Sequence, residues 1–564
     1  MEALDWIVIG VFALALIGII VWVVKQKQND SADYFLGGRD ATWIAIGASI
    51  FASNIGSEHL IGLAGAGASS GMAMAHWEIQ GWMILILGWV FVPFYTRSMV
   101  YTMPEFLERR YNPQSRTILS VISLVSYVLT KVAVTVYAGG LVFQQVFGIK
   151  ELWGIDFFWI AAIGLVVLTA LYTIFGGMKS VLYTSVLQTP ILLLGSLIIL
   201  VLGFKELGGW DEMMRVCGAV TVNDYGDTMT NLIRSNDDAN FPWLGALIGS
   251  AIIGFWYWCT DQFIVQRVLS GKNEMEARRG TIFGAYLKLL PVFLFLIPGM
   301  IAFALHQKYI GAGGEGFLPM LANGTANADA AFPTLVAKLL PAGVKGLVVC
   351  GILAALMSSL ASLFNSSAML FTIDFYKRFK PETPEKKLVG IGQIATIVIV
   401  VLGILWIPIM RSVGDVLYTY LQDVQSVLAP GIAAAFLLGI CWKRTSAQGG
   451  MWGLISGMVI GLTRLGAKVY YSNAGEVADS TFKYLFYDMN WLFFCGWMFL
   501  FCIIVVIVVS LATEAPTAEK IQGLVFGTAT KEQKAATRAS WNHWDIIHTV
   551  IILAITAAFY WYFW

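Results

Sequence analysis

The chain has 564 residues, of which 58% are hydrophobic, 14% aromatic and 13% charged, and its formal net charge is +1. A soluble chain of this length carries about twice that share of charged residues, so the composition predicts an integral membrane protein. The balanced charge offers no basic surface for nucleic acid, and we expect no such partner. The six cysteines form no CxxC pair or His/Cys cluster, which favours core residues over disulfides or metal ligands.

Apolar runs near the ~20 residues that cross a bilayer occur fourteen times along the chain. They begin near Asp5, Trp43, Trp77, Thr117, Trp153, Ser180, Trp243, Thr281, Val344, Leu388, Gly414, Met451, Trp491 and Ile546. We number these predicted spans in chain order. The first is followed by KQKQND rather than by a small-residue cleavage site, so we expect it to remain as a helix.

Basic residues are distributed unevenly between the predicted loops. If the N-terminus lies outside, the cytoplasmic loops hold 23 of the 36 Lys and Arg residues, in agreement with the positive-inside rule. This distribution predicts a multi-pass protein with both termini outside, in the plasma membrane or, for a bacterial source, the inner membrane. The lipid bilayer is thus an expected partner, while the sequence indicates no oligomeric state.

A polar segment, SNIGSEHL at 53–60, interrupts the second apolar span. A charged group at membrane depth costs at least ~2.5 kcal/mol, and a polar run beside glycine is best tolerated where a helix unwinds against a protein-lined cavity. The run WYWCTDQ at 256–262 interrupts the seventh span in the same way. Two interruptions five spans apart are typical of an inverted repeat. We therefore predict two broken helices around one binding site.

The polar side chains inside the spans indicate what such a site would hold. They include Asn54, Glu58, His59, Glu78, Gln80, Lys288 and Gln422, with flat rings at Trp77, Trp256, Tyr257, Trp258 and Tyr418. Hydrogen-bonding groups beside aromatic faces suit a neutral polyhydroxylated ring, whereas a carboxylate substrate would favour an arginine, which these spans lack. Ser358 and Ser359 beside Ala355 offer oxygen ligands for sodium, although composition alone leaves a proton open as the coupling ion.

Six motifs spread over nearly the whole chain resemble the sodium/solute symporter family, and within it the sodium/glucose cotransporters. They are GASIFASNIGSEHLIGLAGAGASSG at 47–71, YTMPEFLERRY at 101–111, WYWCTDQFIVQR at 256–267, AYLKLLP at 285–291, AALMSSLASLFNSSAMLFTIDFY at 354–376 and LAPGIAAAFLLGICWKR at 428–444. The resemblance implies an all-α membrane protein with a leucine-transporter-type core. The core would be two inverted five-helix repeats at 40–205 and 240–442, with one extra helix in 1–30 and three in 450–564.

The resemblance also implies the site residues. Substrate contacts are expected from Asn54, His59, Glu78, Tyr257, Lys288 and Gln422, to which the aromatic pattern adds Trp258. Leu63, Trp77 and Tyr418 would form an outer gate, and Tyr257 an inner gate. The carbonyls of Ala52, Ile55 and Ala355 and the hydroxyls of Ser358 and Ser359 would bind sodium.

The implied function is sodium-coupled symport of a monosaccharide of the glucose or galactose type into the cytoplasm by alternating access. A second sodium site of some relatives uses an aspartate and a hydroxyl where this chain has Ser185 and Ala361, so we expect one sodium per sugar. Sodium is then cargo rather than a catalytic cofactor. No nucleophile, metal cluster or phosphate loop accompanies the polar groups, so we expect no enzyme.

Several alternatives stay open. Another polar molecule such as myo-inositol or sialic acid is an alternative solute, although the missing arginine disfavours sialic acid. Protons carried by Glu58, His59 or Glu78 would replace sodium coupling, and a sugar sensor or channel would bind without accumulating solute. Structural roles compete as well, because Glu78 and Lys288 would serve equally as a charge pair between helices. We interpret Lys131 and Asp261 as internal scaffolding.

Overall fold

The structure, a computed structural model, describes the backbone of all residues except 27–29, 57, 322–323, 414–416 and 474–477. The side chains of 129–130, 409–413, 417–423 and 473 also lie outside the described part. Within that part the fold is built from helices, and the only strand pair is Glu151–Leu152 with Ile155–Asp156, antiparallel. The predicted all-α class is therefore confirmed.

The helices follow one another with short connections. In the first half they are Ala3–Val24, Ser31–Leu36, Gly37–Arg39, Trp43–Asn54, Glu58–Leu63, Ala64–Ser70, Gly71–Met74, Ala75–Glu78, Gly81–Ile86, Leu87–Phe91, Val92–Ser98, Met103–Arg110, Pro113–Ser126, Tyr127–Val132, Ala133–Phe147, Phe157–Leu207 and Trp210–Gly218. In the second half they are Trp243–Gly254, Phe255–Thr260, Gln262–Leu269, Glu274–Lys288, Val292–Leu296, Ile297–Gly311, Ala328–Ala330, Ala331–Leu339, Val344–Met369, Leu370–Tyr376, Lys377–Phe379, Glu385–Val413, Leu417–Cys441, Ala447–Asn473, Thr481–Lys483, Tyr484–Asp488, Trp491–Ala512, Ala518–Ile521, Lys531–Ala539 and His543–Tyr562.

Ten helical stretches of the described residues are long and apolar enough to cross a membrane. Two further apolar helices, Trp43–Asn54 and Ala133–Phe147, are shorter. The 51-residue stretch Phe157–Leu207 bends at Gly177, whose φ is 52°, and it exceeds twice the ~20 residues that one crossing needs. The multi-pass architecture is confirmed, and the count of fourteen spans stays a prediction.

Burial separates a central group of helices from a peripheral one. In the most apolar window of the stretch Val344–Phe379, 89% of residues are buried, against 17% in both Ala3–Val24 and His543–Tyr562. The exposed faces of the peripheral helices are apolar, as lipid contact requires, because lipid solvates no polar backbone or side chain. Functional groups are therefore expected among the central helices.

The second span breaks where the sequence predicts. Helix Trp43–Asn54 ends at Ile55, whose backbone is extended with φ −80° and ψ 105°. The chain then re-enters a helix in a wide π-helical turn, Glu58–Leu63, in which the amides of His59 and Leu60 donate to the Gly56 carbonyl at 3.1 and 3.3 Å. Wide turns of this kind occur frequently at functional sites.

The seventh span breaks in the same manner. Its π-helical turn Phe255–Thr260 ends at Asp261, which is also extended, with φ −76° and ψ 126°. The Asp261 carboxylate then caps the next helix, Gln262–Leu269, by accepting from the Phe263 amide at 3.2 Å. The two interruptions proposed from polar composition are thus both confirmed as helix breaks.

The half of the second span that follows the break, Ala64–Ser70, packs directly on the eighth span, Ile297–Gly311. A Cβ added to Gly67 would overlap the Leu296 carbonyl, and one added to Gly299 would overlap the Ala64 carbonyl. Glycine at both positions is what lets the two backbones touch.

Candidate functional site

Four polar side chains from the second, third and eighth spans meet at the centre of the molecule. The Lys288 Nζ donates to Glu78 Oε2 at 2.6 Å and to Asn54 Oδ1 at 3.1 Å. Lys288, Glu78 and Asn54 are 3%, 2% and 5% exposed. Because a buried charge without a partner is very unfavourable, this pairing fixes the charge states of the lysine and the glutamate.

His59 completes this network but leaves hydrogen-bonding capacity unused. Its Nε2 lies 3.3 Å from Glu78 Oε2, yet neither ring nitrogen has a hydrogen bond of acceptable geometry in the described part. Buried polar atoms in folded proteins nearly always have a partner. The histidine therefore has a donor and an acceptor available for a bound molecule.

Aromatic rings from the seventh span form the neighbouring wall. The Tyr257 hydroxyl accepts from Asn54 Nδ2 at 3.2 Å, so the ring is tied to the broken second span. Trp258 Nε1 donates to Gln80 Oε1 at 3.3 Å, and Gln80 Nε2 donates to the Ser250 carbonyl at 2.8 Å. These bonds hold two flat faces in fixed positions beside the polar network.

These side chains enclose a cavity of about 60 Å³. The predicted residues on its wall are Asn54, His59, Trp77, Glu78, Tyr257, Trp258 and Lys288, and Glu58 lies there too. Gln80 and Gln425 also line it and were not among the predicted ligands. Gln425 follows Gln422 by three residues, so one helical turn of the eleventh span would have indicated it. The volume holds only a few water molecules, so a ring-sized solute requires the walls to separate.

The predicted gate residues are placed unequally by the structure. Trp77 lines the cavity and stacks on Trp491, with ring centres 5.5 Å apart. Leu63 is fully buried but does not line the cavity. The side chains of Tyr418 and Gln422 lie outside the described residues, so their roles stay predictions.

Two of the predicted sodium ligands, Ile55 and Ser359, meet where the second and ninth spans cross. Ser359 Oγ donates to the carbonyls of Ser53 and Ile55 at 2.9 and 3.2 Å. Ser358 Oγ lies 3.3 Å from Ser185 Oγ, on the helix Phe157–Leu207. Ala52 and Ala355 are buried in the same two helices. Serine hydroxyls and freed carbonyls are hard oxygen ligands, which suit a cation of the sodium type.

A second charge cluster lies at the break of the seventh span. Lys131 Nζ donates to Asp261 Oδ2 at 2.6 Å, and the Tyr127 hydroxyl donates to Asp261 Oδ1. The ammonium also faces the rings of Tyr257 and Phe263, each 4.8 Å from the ring centre. Such contacts stabilise a cation. Lys131 and Asp261 thus form a buried pair of the kind that the interpretation as internal scaffolding expects.

The comparisons with known proteins agree with this geometry. Residues 34–457 match the model of the sodium:solute symporter family. The chain belongs to that family. It is 36% identical over 542 residues to the human sodium/myo-inositol cotransporter 2, covering 94% of this chain and 79% of the human protein. It is 37% identical over 525 residues to the human sodium/myo-inositol cotransporter, covering 89% and 72%.

A solved structure shows the fold. The substrate-bound outward-open state of a Na⁺-coupled sialic acid symporter superimposes with a TM-score of 0.72, at 22% identity, over 92% of this chain and 99% of that one. The leucine-transporter-type fold expected from the motifs is confirmed. Family membership also confirms that the protein is a sodium-coupled transporter of a polar solute and no enzyme, with sodium as cargo. The boundaries of the two repeats stay predictions.

Proposed function

We propose that the protein carries a neutral polyhydroxylated six-membered ring together with one sodium ion into the cytoplasm. The observation that carries this proposal is His59, whose Nδ1 has no hydrogen-bond partner among the described residues and whose Nε2 has only the 3.3 Å contact with Glu78 Oε2. The imidazole lines a cavity walled by the Lys288, Glu78 and Asn54 side chains and by the Tyr257 and Trp258 rings. Hydroxyl groups donate and accept hydrogen bonds, and the flat rings suit a cyclic carbon skeleton.

The charges on the cavity wall disfavour an anionic solute. Glu78 and Lys288 form an ion pair at 2.6 Å, so their charges cancel. No arginine lines the cavity within the described part of the chain. A carboxylate solute such as sialic acid would bring an unmatched charge into this buried space, which disfavours it.

Among neutral rings we place myo-inositol first and glucose and galactose second. The sequence motifs favoured a monosaccharide, whereas two human relatives that match most of the chain are named as myo-inositol cotransporters. Both solutes present six-membered rings with several hydroxyl groups, and both suit the network around Lys288 and His59.

A single sodium ion fits the residues at the ion site. Ser185, where some relatives have an aspartate, donates to the Val181 carbonyl at 2.6 Å, and Ala361 has no hydroxyl. One sodium at ~100 mV contributes ~2.3 kcal/mol and a tenfold sodium ratio adds ~1.4 kcal/mol, which supports a solute gradient of several hundredfold. Two ions would square that factor.

Alternating access is the mechanism we propose. Sodium from outside binds at Ile55 and Ser359 and orders the broken turn, which positions Asn54 and His59 for the solute. The helices then rock, Tyr257 moves aside, and both cargoes leave to the cytoplasm. This direction corresponds to a protein in the plasma membrane, or the bacterial inner membrane, with both termini outside.

Uptake into proteoliposomes tests the proposal. Labelled myo-inositol, glucose and galactose are offered with an inward sodium gradient, with potassium replacing sodium, and with a pH gradient alone. We expect sodium-dependent accumulation of at least one of these solutes, with myo-inositol the best. Accumulation driven by the pH gradient without sodium would identify proton coupling, and uptake of sialic acid alone would reject the neutral ring.

A further inference from the structure

Glu58 is a charged residue at the helix break for which the proposed transport mechanism has no role. It begins the π-helical turn Glu58–Leu63 and is half-buried on the wall of the central cavity. No hydrogen bond or ion pair joins its carboxylate to another described residue. A half-buried carboxylate without a partner at membrane depth needs an explanation.

The carboxylate points toward the proposed sodium ligands. A Cβ built on Gly56 would lie 2.6 Å from Glu58 Oε2 and 2.9 Å from Ser359 Oγ. The two oxygens therefore flank the same small space beside the Gly56 backbone. Ser359 Oγ itself donates to the Ile55 carbonyl, so Glu58 lies beside one of the two atoms that we assign to the ion, and that atom contacts the other.

The other carboxylates at this depth already have cations of their own. Glu78 pairs with Lys288, and Asp261 pairs with Lys131, each at 2.6 Å. Arg267, a buried cation nearby, instead contacts the Phe263 carbonyl and Ser366 Oγ. Of the three carboxylates beside the breaks, Glu58, Glu78 and Asp261, Glu58 is the one with no cation within ion-pair distance in the described part of the protein.

We propose that Glu58 supplies the negative charge of the sodium site. The remaining ligands are carbonyls and hydroxyls, which carry only partial charges, so a full charge a few ångströms from the ion raises the affinity for sodium substantially. This inference rests on the proposed sodium site at Ile55 and Ser359. It assigns Glu58 to the ion rather than to the solute, although its side chain also borders the solute cavity.

The test compares Glu58→Gln, which removes the charge at nearly constant volume, with Glu58→Asp, which keeps it. The purified full-length variants are reconstituted, and the half-saturating sodium concentration for uptake of labelled myo-inositol, or of whichever solute the wild type accumulates, is measured. We expect Glu58→Gln to raise that concentration by about ten- to one hundredfold, and Glu58→Asp to raise it less. The KM for solute at saturating sodium should change less than about twofold.

Matched variants separate the two proposals. Glu382→Gln removes a carboxylate from an exposed loop and should behave as wild type. If Ser359→Ala weakens sodium dependence and Glu58→Gln does not, the role of Glu58 is rejected and the sodium site stands. If Ser359→Ala has no effect, the sodium site itself is wrong, and the inference fails with it. A Glu58→Gln effect confined to solute KM would assign Glu58 to the solute.

A binding measurement covers the case in which transport is lost. Sodium should raise the thermal unfolding temperature of the purified wild type, because a ligand that binds only the folded state stabilises it. In Glu58→Gln the sodium concentration that gives half of this increase should shift upward by the same factor as in uptake. An unchanged concentration would overturn the inference. If Glu58→Gln does not fold, Glu58→Ala, which also removes the charge, takes its place with the same readout.

Discussion

The two broken helices have the same backbone geometry but opposite chemistry. Ile55 and Asp261 both adopt an extended conformation between two helical segments. At the first break the groups around the gap are carbonyls, serine hydroxyls and a glutamate that has no ion pair with any residue the structure describes. At the second break the gap is filled by an aspartate that is already paired with Lys131 at 2.6 Å.

In the mechanism we propose, the first break binds an exchangeable cation and the second a permanent one. Unwound backbone attracts cations because its carbonyls lose their helical partners. The proposed cation at the first break comes from solution, whereas at the second break the protein provides its own, the Lys131 ammonium, which faces the rings of Tyr257 and Phe263. We therefore expect the contacts around the first break to depend on sodium and the pair of Lys131 with Asp261 to persist without it.

The largest effect is expected from removing the charge at the second break. Asp261→Asn leaves Lys131 buried without its partner, which costs about 3–5 kcal/mol. We expect a large decrease in the thermal unfolding temperature of the purified protein that high sodium does not restore. The double variant Asp261→Asn with Lys131→Met should recover part of the loss.

An exposed ion pair provides the control. Glu212 and Arg215 are also 2.6 Å apart, but the arginine side chain is 70% exposed. Glu212→Gln should leave the unfolding temperature unchanged, because exposed pairs contribute little. If the Asp261→Asn variant unfolds at the same temperature as the wild type, the second break is not held by a permanent ion pair.

The next largest effect is expected at the first break. Ser359→Ala removes one oxygen ligand, and we expect the half-saturating sodium concentration to rise about tenfold, which corresponds to ~1.4 kcal/mol. Ser362→Ala is the matched control on the same helix, since its hydroxyl contacts Ser53 Oγ at 2.6 Å rather than a carbonyl of the break. Equal effects of the two variants would argue against a localised ion site.

A smaller effect is expected where the two breaks are joined. Tyr257→Phe deletes the hydroxyl that accepts from Asn54 Nδ2 but keeps the ring. One hydrogen bond contributes about 0.5–1.5 kcal/mol, so the KM for solute should rise about two- to tenfold with sodium affinity unchanged. Initial uptake rates measure both values.

Tyr286→Phe is the corresponding control, because its hydroxyl contacts His548 at the exposed surface, away from the site. It should have the kinetics of the wild type. A change in sodium affinity in Tyr257→Phe would show that the second break also contributes to ion binding, and the contrast between the breaks would then be weaker than we infer.

The smallest effect is expected at Asp329. This residue lies in the segment Ala328–Ala330, which packs against Ala64–Ser70, the helix after the first break. A Cβ on Gly65 would lie 2.6 Å from Asp329 Oδ1, so the carboxyl packs tightly against that helix. Burial raises the pKa of Asp329 to about 6. A raised carboxyl pKa means that the packed state binds the proton more strongly, so this packing is stabilised as the pH falls below 6 and weakened above it.

Acidic external medium should therefore slow the opening of this packing and reduce uptake, by less than about threefold between pH 7.5 and 5.5. Asp329→Asn keeps the neutral form at every pH and should remove that part of the pH dependence. Sodium-driven uptake at several external pH values checks this, and an unchanged pH profile in the variant would refute it.

The sequence predicted the breaks because a charge or a polar run inside an apolar span has few stable arrangements. The extended residues Ile55 and Asp261 lie within the two polar segments that composition indicates. The sequence offered two roles for Glu78 and Lys288, as solute contacts and as a charge pair between helices, and the structure pairs them at 2.6 Å. The ion pair leaves both roles possible, because both side chains also line the central cavity.

Contacts between distant parts of the chain were harder to predict. Lys131 and Asp261 were interpreted as scaffolding, but nothing in their local sequence indicates that each is the partner of the other across 130 positions. Gln80 was recognised as an intramembrane polar group without a role, since its bonds to Trp258 and Ser250 depend on how two spans cross. Side-chain pairing of this kind follows from tertiary packing and not from hydrophobic periodicity.

The touching backbones of Gly67 and Gly299 have a consequence for how the molecule can be observed. Because the two helices are in backbone contact at these points, we expect the segment after the first break, Ala64–Ser70, and the eighth span to move together during transport. Spectroscopic probes placed on these two segments would report a constant separation throughout turnover. A probe pair with one label on either segment and one on the buried ninth span would report the change in distance during transport.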